Sequence, residues 1–257
     1  MPTTAPAFRV RIAQTDADVI AAQRLRYNVF VAELGGDGDG VDHAAAREAD
    51  RFDPHATHLL LDDLTRPAGK QVIGVYRLMD RAQAMAAGGY YCATEFDLTV
   101  LEASGRQLLE LGRSCLHPDY RGGTAMLHLW AGLADYVAEC GAQVLFGAAS
   151  FHGTDLRALA ASLANLADRH SAPAEMTATA RAPHAVAMDA MPIADVDRKA
   201  AMRATPALIK AYLRLGGMVG QGAYVDKAFN TTDVCLILDT AQMNARAAAL
   251  YGAGGQI

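Results

Sequence analysis

The sequence has little cysteine, and the cysteines that it has are widely scattered. Cys92, Cys115, Cys140 and Cys235 lie more than 20 positions apart, whereas the ligands of zinc and iron–sulfur sites usually come in closely spaced pairs. We therefore expect four free thiols and no metal site.

Long apolar runs are also absent. A membrane-spanning helix needs about 18 or more consecutive apolar residues, and no run in the 257 residues approaches that length. The first residues, Met1 to Ala7, have neither the basic head nor the apolar core of a secretion signal. These absences predict a soluble, cytoplasmic protein in a reducing compartment.

An excess of positive charge is missing as well. The formal net charge is −5, which disfavours nucleic acid as a partner because phosphate-binding surfaces are basic. Apolar residues make up 52% of the chain, enough for one substantial core, and no repeat or linker marks a second domain. The composition therefore predicts a single domain over residues 1–257.

The apolar pattern predicts a mixed α/β fold. A strand at Gln107–Cys115, a helix at Arg121–Cys140 and a strand at Val144–Phe151 form a crossover unit, so the two strands should run parallel. The acidic, glycine-rich segment at about residues 34–56 is predicted to be a mobile loop. The other predicted elements are strands at Phe8–Ile12, Thr57–Leu61 and Val72–Met79, helices at Thr15–Glu33, Ala82–Ala87, Leu98–Ala103, Asp155–Asp168 and Thr205–Leu215, and a C-terminal hairpin of Gly222–Val225 with Asp233–Leu238.

Three charged residues interrupt strands that are otherwise apolar. Arg77 should meet a carboxylate unless it reaches water from the end of its strand. Glu110 and Arg113 would point to opposite faces of a regular strand, but a bulge near Gly112 would bring them to one side and leave a backbone N–H unpaired. Such a carboxylate and N–H are the general base and oxyanion donor that acyl transfer needs. An internal Glu–Arg ion pair is the simpler alternative.

A glycine-rich segment, Tyr120–Thr124, stands between a strand and a long helix. Because the N–H groups at a helix N-terminus favour anions, both a phosphate cradle and an ordinary turn fit this pattern. Cys115, His117 and His152 show no spacing that singles out a nucleophile with its base. We expect Cys115 to be a small core residue.

The segment Pro118–Gly123, which follows a strand and opens a helix, resembles the acyl-donor loop of the GNAT superfamily. The usual form of that loop is Arg/Gln-x-x-Gly-x-Gly/Ala, and here Thr124 and Met126 stand at the two small-residue positions. This departure favours the phosphopantetheine arm of a carrier protein over coenzyme A as donor.

Within the superfamily the chain is similar to two families. It resembles the acyl-homoserine-lactone synthases in Arg26-x-x-x-Phe30, Asp50-x-x-Asp53, Arg77 and Glu110-x-x-Arg113. It resembles the ornithine N-acyltransferases of ornithine-lipid synthesis over nearly the whole chain. The blocks that carry this second resemblance are Arg26–Phe30, Ala93–Leu98, Glu110–Gly123, Phe151–Asp155, Leu208–Gly216 and Phe229–Asp233.

The resemblance implies a mixed, mostly antiparallel central sheet with a splayed parallel strand pair and helices on both faces. It implies transfer of a 3-hydroxy fatty acyl group from acyl carrier protein to the α-amine of an amino acid, with L-ornithine favoured, to give a lyso-aminolipid. No tightly bound cofactor is implied beyond the carrier's phosphopantetheine, and the lipid product implies peripheral contact with the inner membrane. The residues implied are Glu110 and Gly112 for catalysis, Arg26, Phe30, Asp50, Asp53, Arg77 and Arg113 for the amino acid, and Arg121, Gly122, Gly123, Ala148 and Ser150 for the donor.

Other functions stay open at this point: a lactone synthase, an N-acyltransferase for glutamine or another amino acid, and a non-catalytic acyl-binding protein. The acidic segment suits a substrate with two positive charges, as ornithine has, or is simply solvated. A late basic cluster suits an acidic carrier protein, or is a solvated helix face. Its members are Arg198, Lys199, Arg203, Lys210 and Arg214.

Overall fold

The computed structural model describes residues 5–243, which form two compact units. The first unit contains the described residues up to Ala87 and the stretch Leu111–Gly141. The second contains Gly88–Glu110 and the described residues from Ala142 onward. A single acyltransferase domain over the whole chain stays a prediction.

Thirteen strands and seven α-helices are assigned within residues 5–243. The strands are β1 (Phe8–Ile12), β2 (Val41–Asp42), β3 (Arg47–Glu48), β4 (Thr57–Asp63), β5 (Val72–Asp80), β6 (Phe96–Asp97), β7 (Leu108–Leu116), β8 (Val144–His152), β9 (Thr179–Ala180), β10 (Ala185–Val186), β11 (Met218–Val219), β12 (Ala223–Asp226) and β13 (Thr231–Asp239). The helices are α1 (Asp16–Arg26), α2 (Arg81–Ala87), α3 (Thr99–Ala103), α4 (Ala125–Cys140), α5 (Leu156–His170), α6 (Arg198–Ala204) and α7 (Ala207–Arg214).

In the first unit, β1 pairs antiparallel with β4 and β4 with β5. The predicted helix start is confirmed, because Thr15 and Asp18 form a capping box that satisfies N–H groups at the start of α1. A π-helical segment, Tyr27–Glu33, continues α1. The apolar face of α1 packs Ala22 and Leu25 against Leu60 of β4 and Val75 of β5.

Helix α4 begins at Ala125, four residues later than predicted. The preceding stretch Pro118–Tyr120 is a 3-10 turn, and Gly122 has φ +77. That left-handed conformation is open to glycine and incompatible with a right-handed helix. The predicted stop is confirmed, since Gly141 ends α4 with φ +66.

In the second unit, β7 and β8 form the predicted parallel pair. Their ladder runs from Leu108–Val144 to Glu110–Phe146. Beyond β8 every strand pair is antiparallel, in the order β8-β13-β12-β10 with β11 also on β13. The predicted C-terminal hairpin is therefore confirmed as β12 and β13, and the fold is a mixed, mostly antiparallel sheet with flanking helices.

Helix α6 was not predicted, because its seven residues are mainly arginine, lysine and alanine and form no apolar stripe. The cap that starts it was nevertheless readable, since the Asp197 side chain accepts hydrogen bonds from the N–H groups of Lys199 and Ala200. Helix α7 begins at Ala207, two residues later than predicted, with Pro206 at its N-cap. Among residues 5–243, no helix has the length and apolar character that crossing a membrane requires.

Candidate active site

Glu110 is a buried carboxylate held by two backbone N–H groups. It lies on β7 in the second unit and is 3% exposed. It accepts hydrogen bonds from the N–H of Tyr91 at 3.0 Å and the N–H of Cys92 at 2.5 Å, at the start of a 3-10 turn. These donors orient the carboxylate and complement its negative charge. In its ionised form, an oriented carboxylate between Leu109 and Leu111 can accept a proton from an amine.

The irregularity predicted for this strand lies at Arg113, next to Gly112. Arg113 has φ +49, a conformation that residues other than glycine rarely adopt and that stores strain. Its guanidinium contacts Glu48 at 3.1 Å and Asp50 at 3.2 Å. These ion pairs hold the strained residue.

Three arginines and three carboxylates of the first unit form a closed ion-pair ring. Its members are Arg26, Arg77, Arg113, Glu48, Asp50 and Asp53. Each carboxylate contacts two of the arginines and each arginine contacts two of the carboxylates, at 2.5–3.2 Å. The six formal charges therefore cancel, which is the condition under which buried charges are tolerated.

Burial within the ion-pair ring is uneven. The side chains of Arg26, Glu48 and Asp53 are at most 3% exposed, whereas that of Asp50 is 17% exposed. Burial raises the pKa of Asp53, but hydrogen bonds and charge from Arg26 and Arg77 outweigh it and hold that pKa well below its usual range. The pKa of Asp50 is lowered in the same way by Arg77 and Arg113 against the effect of burial. Both aspartates are therefore charged near neutral pH.

Arg77 was expected to meet a carboxylate unless it reached water, and in the ring it contacts two carboxylates of the protein, Asp50 and Asp53. The ring also brings together Arg26, Asp50, Asp53 and Arg113, four of the residues that the resemblance implied for the amino acid, a role that stays a prediction. Sequence reasoning missed Glu48, which is 1% exposed. The signal was charge balance, because two buried arginines and the half-buried Arg113 require a third carboxylate from the acidic segment.

The predicted donor loop is exposed and has a partner that was not anticipated. Arg121 forms a two-point ion pair with Glu33, at 2.5 and 2.8 Å, and donates to the carbonyl of Leu116 at 3.3 Å. Gly122 and Gly123 are exposed just before α4. The Arg121 side chain keeps 43% of its surface exposed, so a phosphate can approach it.

Three further predicted site residues are Phe30 of the first unit and Ala148 and Ser150 of the second. Ala148 and Ser150 are on β8, where they pair with Cys235 and Asp233 of β13. Ala148 is half-buried and Ser150 is exposed. Phe30 packs on the apolar cluster under α1. Their roles stay predictions.

The thiols behave as core residues where they are buried. Burial raises the pKa of Cys115 to about 12, which removes the thiolate needed for nucleophilic attack. Cys92 and Cys235 are buried, with their sulfur atoms 3.8 Å apart. The expected free state of the four thiols agrees with this arrangement.

A second group of carboxylates in the second unit was not anticipated. Atoms of Glu95, Asp226 and Asp233 lie within 4.8 Å of one another. The three residues come from distant parts of the sequence, so no spacing pattern connects them. Burial raises the pKa of Tyr224, and the negative charges of these three carboxylates raise it further.

Comparison with known proteins gives a family. The family model described as "Acetyltransferase (GNAT) domain" matches residues 25–131. The chain is 51% identical to the L-ornithine N(alpha)-acyltransferase of Rhodobacter capsulatus, over 95% of this chain and 94% of that protein. It is 42% identical to the L-ornithine N(alpha)-acyltransferase of Brucella abortus, over 96% of this chain and 89% of that protein.

Solved structures support the fold. FeeM, an N-acyl amino acid synthase from uncultured soil microbes, matches with a TM-score of 0.54 at 13% identity, over 95% of this chain and 98% of that one. The acyl-homoserine-lactone synthase LasI matches with a TM-score of 0.50 at 16% identity, over 98% of both chains. These structures show the fold alone; the sequence relatives and the family model show that the chain is an N-acyltransferase of the GNAT type and belongs to the L-ornithine N(alpha)-acyltransferase family.

Proposed function

We propose that this enzyme transfers a fatty acyl group from an acyl carrier protein to the α-amine of L-ornithine. The names of the sequence relatives support the amino acid and the nitrogen. Within the chain, the observation that carries the proposal is Glu110, a buried carboxylate oriented by two N–H groups in the middle of an apolar strand.

In the proposed reaction, the α-ammonium of ornithine gives a proton to Glu110, directly or through one water. The free amine attacks the thioester carbonyl, the C–N bond forms and the C–S bond breaks. The nitrogen then loses its second proton, and the departing thiolate takes up one proton. A positioned base contributes roughly 10²–10⁴-fold. Binding both reactants in register contributes up to about 7–11 kcal/mol. We propose that a backbone N–H near Gly112 stabilises the oxyanion.

The ion-pair ring has two proposed tasks. Arg26 and Asp53 are almost completely buried, so we assign them to positioning rather than to contact with substrate. Asp50 and Arg113 have the most exposed side chains of the ring, at 17% and 12%, and they are proposed to bind the charged groups of the amino acid. Arg77, only 2% exposed, is proposed to hold Asp50 in place. The ring also holds Arg113 in its left-handed conformation, and Arg113 lies three residues after Glu110 on one strand.

The proposed donor is a thioester on the phosphopantetheine arm of the carrier. Arg121 and the exposed N–H groups at Gly122 and Gly123 are proposed to bind its phosphate. Ala148 and Ser150 are proposed to line the path of the arm. We propose that the transferred acyl group is a 3-hydroxy fatty acyl group. The product would have a single acyl chain and would enter a membrane readily. We therefore propose that the enzyme contacts the membrane peripherally.

The test is to incubate the purified protein with 3-hydroxyacyl carrier protein and each free amino acid in turn, and to identify the product by mass. We expect N-acylation of ornithine at the α-nitrogen, with fragmentation distinguishing it from the δ-amide. Acyl-coenzyme A in place of the carrier thioester should give a much slower reaction.

Three results would contradict the proposal, each in a different way. A lactone formed from S-adenosylmethionine would identify a signal synthase. Preferential acylation of glutamine or another neutral amino acid would contradict the choice of ornithine as substrate. Acyl binding without turnover on any amine would make the protein a binding module.

A further inference from the structure

We infer that helices α6 and α7 form the docking surface for the acidic carrier protein. The inference rests on the proposed function, because it concerns how the same acyl donor arrives. The docking residues are Lys199, Arg203, Lys210 and Arg214, which we call the α6–α7 basic surface.

Charge is segregated in this part of the chain. Residues 198–214 hold five positive charges and no acidic residue, in a protein whose net charge is −5. Asp197, just before this stretch, is occupied as the N-cap of α6. A positive field of this kind attracts an acidic partner and increases its association rate.

The charged groups of this surface have no acidic partner in the described part of the chain. Arg198 pairs with Asp168 at 2.7 Å, but within residues 5–243 no ion pair involves Lys199, Arg203, Lys210 or Arg214. Several other exposed cations do have acidic partners, for example Arg9 with Asp62.

The two helices place these charges on neighbouring positions. Lys199 and Arg203 are one turn apart on α6, and Lys210 and Arg214 are one turn apart on α7, so each helix has a like-charge pair that opposes its stability. The Lys210 ammonium donates to the carbonyl of Arg203 at 3.1 Å, which joins the two helices. Such uncompensated repulsion is relieved when an acidic surface binds.

The apolar side of the helices is already occupied. Ile209 and Tyr212 of α7 are buried, as is Ala201 of α6, whose carbonyl accepts a hydrogen bond from Ser162 of α5. The buried side fixes the helices in the second unit and leaves Lys199, Arg203 and Arg214 exposed. The exposed side of the two helices presents positive charge, which suits electrostatic docking of a transient partner.

The test compares two charge-matched variants of the full-length protein. The double variant Lys199→Glu with Arg214→Glu changes the α6–α7 basic surface. The control is Arg157→Glu with Lys227→Glu, which reverses one arginine and one lysine at exposed positions elsewhere in the second unit. Both are assayed with acyl carrier protein and with a carrier-free acyl-phosphopantetheine thioester, and carrier binding is measured directly.

We expect the surface variant to raise the KM for acyl carrier protein and weaken carrier binding by roughly tenfold or more at low salt. Its rate with the carrier-free thioester should be unchanged, and the control variant should resemble wild type in both assays. If the glutamate variant does not fold, Lys199→Gln with Arg214→Gln should show a smaller loss in the same direction.

Equal effects of the surface and control variants would overturn the inference. An unchanged KM for the carrier together with lost binding to anionic phospholipid vesicles would also overturn it and assign the surface to a membrane. If wild-type protein acylates ornithine from a carrier-free thioester but gains nothing from the carrier, the carrier part of the proposed function fails as well. Normal carrier-dependent turnover in every variant leaves the function intact and removes only the docking site.

Discussion

The ion-pair ring makes a strong prediction for Asp53→Asn. Asp53 accepts from Arg26 at 2.6 and 2.8 Å, from Arg77 at 3.0 Å and from Gln23 at 3.0 Å. Asparagine keeps the size of the side chain but leaves the ring with one uncompensated positive charge. Removing one partner of a buried ion pair costs about 3–5 kcal/mol, a large part of a total stability of about 5–15 kcal/mol.

The assay is urea unfolding followed by tryptophan fluorescence. The chain has one tryptophan, Trp130, which is buried in the first unit and donates to the hydroxyl of Tyr76 at 3.1 Å. Its emission therefore reports on the unit that contains the ring. With a slope of about 2–3 kcal/mol per molar urea, the midpoint should fall by roughly 1–2 M.

A charge-balanced double variant provides the control. Arg77→Gln combined with Asp53→Asn removes one charge of each sign, so its loss should be smaller than the sum of the single losses by about 0.5–3 kcal/mol. A midpoint for Asp53→Asn equal to that of wild type would refute the reasoning. Strictly additive losses would show that the two residues are not coupled.

Other predictions follow from the same structure. The pKa of Asp63 is about 2 because hydrogen bonds outweigh burial, and that of Asp53 is also depressed. The contribution of these two carboxylates to the free energy of unfolding should be fully present above about pH 5 and should decline as pH falls through 4. The urea midpoint measures this decline. Gly132→Ala would place a Cβ 2.3 Å from Val10 and should cost about 1–3 kcal/mol. Arg121→Gln should raise the KM for the acyl donor and leave the KM for ornithine unchanged.

Local signals made much of the fold predictable from the sequence. The parallel pair of β7 and β8 follows from a strand, a long helix and a buried strand in succession. The start of α1 follows from Thr15 and Asp18. In each case the determining residues are close together in the chain, so periodicity and capping are sufficient.

The ion-pair ring needed more than local patterns. Its contacts join residues up to 65 positions apart, as for Glu48 and Arg113. The resemblance supplied the arginines and aspartates, but the closure of the ring depends on Glu48, which no motif marked. The N–H donors to Glu110 were also unpredictable, because they come from a turn that places Tyr91 and Cys92 beside β7.

The most direct test of the account is the rate of ornithine acylation by Glu110→Gln, beside Glu102→Gln as a control at an exposed position of α3. The glutamine keeps the size of the side chain and one oxygen that can accept an N–H, but it cannot take a proton from the amine, and its NH2 group faces the second of the two backbone donors. We predict that kcat/KM falls by roughly 10²–10⁴-fold in protein that circular dichroism shows to be folded, with the control as active as wild type. Wild-type turnover by Glu110→Gln would contradict the assignment of this carboxylate as the base.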